Sequence, residues 1–127
     1  MRSINIPVSW GEFIDKITIL EIKSERLVDE MSLKNVLQEL SMLKKLFVIE
    51  ENQIDEILML KERLYQINSF LWEVESALRE KEVMNEFDEE FIKLARSVYI
   101  NNDERHGIKK EINRMLNSDL VEEKSYK

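Results

Sequence analysis

Residues 57–78 read ILMLKERLYQINSFLWEVESAL. Within them Ile57, Leu60, Leu64, Ile67, Leu71, Val74 and Leu78 alternate by three and four places without a miss. That spacing returns to one side of an α-helix on successive turns, and three heptads of it make an a/d seam. The pattern predicts a long third helix over about 53–84, roughly 45 Å at about 1.5 Å per residue. Phe70 and Trp72 lie off the seam, so more than one neighbour packs against this helix. Asn68, Glu75 and Glu82 fall near its centre or edge. Asn52, with Asp55 three places later, is the expected N-cap.

The totals suit a helical domain. The chain has 127 residues, 43% of them hydrophobic, with only two Gly and one Pro. Those numbers describe one packed domain of long helices and short turns. Cysteine is absent, so disulfides and thiolate metal sites are excluded. A net charge of -7 argues against nucleic-acid partners, which need a basic surface. No apolar run approaches the roughly 20 residues of a membrane span. The opening MRSINIP lacks an apolar targeting core, and the expected setting is cytoplasmic.

Outward from the seam, three more helices are legible. Ser9-Trp10-Gly11-Glu12 is a capping box, flanked by a Val8/Phe13 staple. It starts a first helix over 10–28, after an extended lead-in at 1–8. One face of that helix carries Trp10, Phe13, Ile14, Ile17, Leu20, Leu27 and Val28, with Glu21 and Ser24 set inside it. Ile19 and Ile22 point the other way, so the helix is apolar on two sides, which suits either burial between neighbouring helices or self-association in a dimer. A second helix is expected over 33–48, capped by Ser32, with Leu33, Val36, Leu37, Leu40, Leu43 and Phe47 as its stripe. A fourth begins at the cap Asp88 with a Phe87/Ile92 staple and acidic Glu89 and Glu90. Its stripe runs through Phe91, Leu94, Ala95 and Val98 and resumes at Ile108, Ile112 and Leu116. Asn101-Asn102-Asp103 interrupts it, but Val98, Arg105 and Ile112 keep the seven-residue step. One continuous helix to about 116 is therefore predicted, followed by a charged tail at 119–127. The expected fold is all-α: an antiparallel bundle of three long helices plus one shorter one, in a single domain spanning 1–127.

Function should sit where polar groups occupy inward faces. These are Glu21 and Ser24 on the first helix, Asn68 and Glu75 on the third, and Asn102, Arg105 and Lys109 on the fourth. An isolated buried charge is costly, so such groups pair or open to water. Glu21 or Glu75 with Arg105 or Lys109 are the expected pairs. Arg105 and Lys109, one turn apart, could instead clamp a phosphate or carboxylate. Arg96, Tyr99 and Asp103 point sideways or outward and join a site only if a neighbour covers that side. No metal or cofactor is expected. A di-metal carboxylate bundle needs Glu-x-x-His pairs, and the one histidine, His106, has Asp103 three places before it. Glu12-x-x-Asp15 matches half of the magnesium motif of all-α nucleotide pyrophosphohydrolases, but the accompanying Glu-Glu-x-x-Glu is missing.

Several segments together resemble one family. They are Ile6-Pro7-Val8-Ser9-Trp10-Gly11-Glu12-Phe13-Ile14-Asp15-Lys16-Ile17-Thr18-Ile19-Leu20-Glu21-Ile22-Lys23, the run Leu94-Ala95-Arg96-Ser97-Val98-Tyr99, Asn102-Asp103 with Arg105, and the closing Glu122-Glu123-Lys124-Ser125-Tyr126. The chain resembles a family of short bacterial and phage proteins known only as a domain of unknown function. The resemblance covers nearly the whole length. It implies a setting near surface-polysaccharide and glycosyltransferase genes and supplies no catalytic residue.

Two functions follow as expectations. The first is a helical binding or assembly module without catalysis, a homo-oligomer acting through protein partners. The second is a small enzyme or sensor for an anionic metabolite, such as a sugar phosphate or nucleotide sugar. There Arg105, Lys109, Asn102, Arg96 and Tyr99 would bind the anion, and Glu21 or Glu75 would exchange a proton.

Overall fold

The computed structural model describes residues 2–118 and 123. Four helices follow in order: α1 (Trp10–Arg26), α2 (Glu30–Leu46), α3 (Glu51–Val83) and α4 (Glu89–Met115). The long third helix stands as its heptads predict, and α4 runs unbroken through Asn101–Asp103. Those side chains do not compete with the helix. Asn101 Nδ2 donates back to the Ser97 carbonyl at 2.8 Å, and Asn102 Oδ1 accepts from Arg105 Nη1 at 3.2 Å. The charged tail expected at 119–127, with the Glu122–Tyr126 segment, lies outside the described residues, apart from Glu123.

Caps explain most boundaries. The Ser9 hydroxyl accepts from the Glu12 N–H at 3.1 Å, one half of the capping box, while the Glu12 carboxylate accepts from Lys109 Nζ. α2 starts earlier than expected because Asp29, not Ser32, is its cap; the carboxylate accepts from the Ser32 N–H at 2.8 Å. α3 starts at Glu51 without a side-chain cap, and Asn52 lies inside the first turn. Asp88 caps α4 through the Phe91 N–H at 2.9 Å, and the Phe87 ring stands edge-on to Phe91. α3 and α4 both end on an asparagine in the left-handed region, Asn85 (φ 55) and Asn117 (φ 50). Each allows the next N–H to reach back across the turn, Glu86 to Lys81 O and Ser118 to Asn113 O, both 2.9 Å.

α1 is the central helix and packs against the other three. It runs alongside α3 and antiparallel to α2 and α4: Gly11 meets Asn113, Asp15 meets Arg105 and Asn68, and Arg26 meets Glu73. The main core joins Ile14 of α1, Ile57, Leu60, Leu64 and Ile67 of α3, and Ile108 and Ile112 of α4. A smaller core joins Ile17 and Leu20 to Leu40 of α2. The α3 seam is thus consumed inside the chain. α1 and α2 are 17 residues each, against 33 and 27 for α3 and α4. α1 ends beside Glu73, and α3 and α4 continue past it as a two-helix hairpin. Lys81 ties the tip of that hairpin, lying 3.0 Å from Asp88 and 3.6 Å from Glu86. No helix among the described residues is long and apolar enough to cross a membrane.

Candidate functional site

Above the apolar core, the bundle axis changes character. Asp15 is fully buried on α1. Its carboxylate accepts from Arg105 Nε (2.9 Å) and Nη2 and from Asn68 Nδ2 (2.9 Å). Asn68 also donates to Thr18 Oγ1 at 2.9 Å, and that hydroxyl donates to the Asp15 carbonyl at 2.7 Å. A doubly bonded Arg–carboxylate pair with a further amide donor on one of its oxygens is the arrangement that makes a buried charge tolerable. One layer below, Lys109 Nζ donates to Glu12 Oε2 at 2.7 Å. The α1 start is held there too: the Gly11 N–H donates to Asn113 Oδ1 (2.7 Å) and the Trp10 N–H to Ser118 Oγ (3.2 Å). Gly11 is required at this crossing. A Cβ on it would stand 2.5 Å from the Lys109 carbonyl oxygen.

On its other side the Asp15–Arg105 layer forms the floor of a cleft of about 470 Å³. α1 contributes Ile19 and Ile22 to the walls, and α4 contributes Val98, Asn102 and Arg105. α3 contributes Asn68, Leu71, Trp72, Glu75, Ser76 and Arg79. The cleft opens here because α1 ends while α3 and α4 run on. The second apolar side of α1 therefore faces this cleft, with Ile22 buried and Ile19 at its wall. The expected alternatives, an internal ion pair or an open pocket, coexist. Asp15 is sealed, and Arg105, whose side chain is 25% exposed, borders the opening.

The structure sorts the expected site residues. Glu75, Asn102 and Arg105 meet at the cleft. Lys109 lies beneath it against Glu12. Glu21 sits on a different side of α1, 2.9 Å from Lys61 and 3.8 Å from Lys44. It is not the answering charge for Arg105 or Lys109; Asp15 and Glu12 are. The reason is rotation along α1: Glu12 and Asp15 fall on the side packed against α4, while Glu21 falls toward α2. Arg96, Tyr99 and Asp103 are exposed on the outer side of α4. Asp15 enters the sequence reading only in Glu12-x-x-Asp15, as half of a magnesium motif and not as a partner of Arg105, and Asn68's partner Thr18 and Asn113 do not enter it. Asp15 had a signal, since Gly11, Asp15, Ile19 and Ile22 recur at helical spacing on one line. No cluster of potential metal ligands occurs among the described residues.

Residues 4–127 match the model of a family described as Family of unknown function (DUF6165), and the chain belongs to that family. No curated protein matches the chain, and no solved structure matches it.

Proposed function

We propose that this member of the family is a helical binding and assembly module without catalytic chemistry of its own. It acts through protein–protein contacts and associates with itself. The α3 seam and the second apolar side of α1, Ile19 and Ile22, face other parts of the same chain. What supports the reading is the apolar surface left on the α3/α4 hairpin. Val83 is 82% exposed, and Met84, Phe87, Ile92, Tyr99 and Ile100 are each more than half exposed. Large apolar groups gathered on one projecting element mark association surfaces in water-exposed domains. The test is light scattering across a concentration series from micromolar to millimolar. A mass rising from monomer to dimer is expected; a monomer throughout would remove the reading.

A second reading is favoured by the cleft. Its volume lies in the range of small-molecule sites, roughly 300–1,000 Å³, and its apolar walls carry a few convergent polar groups. Arg79 is exposed at the cleft and makes no ion pair with the described residues, and Trp72 lines the same cleft. That combination suits a phosphorylated or carboxylated metabolite such as a sugar phosphate or nucleotide sugar, with Glu75 as the group able to exchange a proton. Replacing Trp10 by Phe leaves Trp72 as the sole tryptophan fluorophore. Saturable quenching by glucose 1-phosphate or UDP-glucose is expected, and no response to either at millimolar concentration removes this reading.

A further inference from the structure

We propose that two copies pair through the outer faces of α4, antiparallel, about a two-fold axis between Tyr99 and Ile100. The proposal rests on the self-association reading and adds which face is used and in which orientation. Ile92, Arg96, Tyr99, Asp103 and Gly107 recur every three or four residues, and all five are exposed. They form a stripe directly opposite Ile108 and Ile112, which point into the core.

The stripe is complementary to its own reverse. In an antiparallel pair, residues equidistant from the axis face each other. Arg96 precedes Tyr99 by three places and Asp103 follows Ile100 by three, so each Arg96 meets Asp103 of the second copy. Glu89 precedes Tyr99 by ten and Lys110 follows Ile100 by ten, so these opposite charges meet as well. Tyr99 and Ile100 close the centre. A parallel pair would instead set Arg96 on Arg96 and Asp103 on Asp103, which like-charge repulsion opposes.

Gly107 is an independent observation. Glycine inside a helix is unfavourable, and a Cβ at Gly107 would meet nothing within 4 Å. The chain's own packing therefore gives no reason for it. The pairing does: Ile92 and Gly107 lie seven places either side of the axis, so the bare backbone receives Ile92 of the second copy. The contact covers Glu89–Lys110, roughly 30 Å of helix at about 1.5 Å per residue.

A charge-reversal cycle followed by sedimentation equilibrium tests this. Arg96→Asp alone and Asp103→Arg alone should each weaken the dimer roughly tenfold or more. The double variant Arg96→Asp/Asp103→Arg restores opposite charges and should return to within a few-fold of the parent. Arg96 and Asp103 are both exposed, and circular dichroism verifies that each variant folds. Because the chain has no cysteine, Ile100→Cys places a single thiol beside the axis, and a short bismaleimide should cross-link it into a dimer. Single variants that leave the dimer intact, a double variant that fails to restore it, or a dimer that does not cross-link would overturn the α4 face while self-association stands. A parent chain that stays monomeric to millimolar concentration would overturn both.

Discussion

Asp15 and Arg105 are 90 residues apart in sequence, and two hydrogen bonds join them at the floor of the α1/α3/α4 cleft. The pair divides the bundle axis into an apolar lower half and an open upper half. Asp15 has no contact with water, while Arg105 keeps one side toward the cleft.

Removing one partner of this pair should cost more than removing both. Asp15→Ala leaves the Arg105 guanidinium and the Asn68 amide without their acceptor, and a loss of about 3 kcal/mol is expected. That corresponds to a drop of roughly 10 °C in Tm for a domain of this size. Asp15→Leu combined with Arg105→Met removes the charge with its desolvation cost and should lose less than the two single changes added together. Chemical denaturation of the four proteins measures the coupling. Additive losses would mean the pair is not a unit.

The two glycines should respond with opposite signs. At Gly11 a methyl group collides with backbone of α4, which cannot give way as a side-chain tip could. Gly11→Ala is expected to destabilise by about 1–3 kcal/mol. At Gly107 there is open space, and Gly107→Ala should stabilise the folded chain by about 0.5–1 kcal/mol. Thermal unfolding at a concentration below any association reads both. A Gly11→Ala protein as stable as the parent would contradict the close α1–α4 crossing.

Acid should act on the helix starts. The Ser32 N–H bonded to Asp29 lowers that carboxyl below its ordinary 3.8. The Phe91 N–H, and then Lys81, do the same for Asp88. A group with a lowered folded-state pKa adds stability that is present above its unfolded value and lost as pH falls through the folded one. The contribution of both caps is therefore complete above about pH 4 and fades below 3.8. Amide hydrogen exchange in the first turns of α2 and α4 should quicken in that window. In Asp29→Asn and Asp88→Asn the same turns should lose that dependence; an unchanged pH profile would argue against these caps.

Arg79 and Arg105 should separate by phenotype. Arg105→Ala breaks the buried pair and is expected to lower stability by about 3 kcal/mol. Arg79 is exposed at the cleft without an ion pair to the described residues, so Arg79→Ala should leave stability within about 0.5 kcal/mol. If the cleft takes an anion, Arg79→Ala should weaken its binding by roughly tenfold. Calorimetric titration with sugar phosphates, alongside thermal melts, distinguishes the two arginines. Equal effects of both on stability would refute the difference in their roles.

Residues 57–78 determined the long third helix, because three-four apolar spacing has one low-energy solution in water. The Ser9 and Asp88 caps and the seven-residue step from Val98 through Arg105 to Ile112 likewise placed helix starts and kept α4 whole. These are local properties, set by hydrogen bonds and periodicity within a few turns. Which charges meet was decided elsewhere. Arg105 could be placed on an inward face from sequence, yet its partner depends on how α1 is rotated about its axis, and that rotation follows from burying Ile14, Ile17 and Ile22 at once. Asp15 reaches Arg105 only after Gly11 lets α1 and α4 approach closely. The cleft is likewise tertiary: it exists because α1 ends at Arg26 while α3 and α4 continue, and no single helix carries that relation in its own sequence.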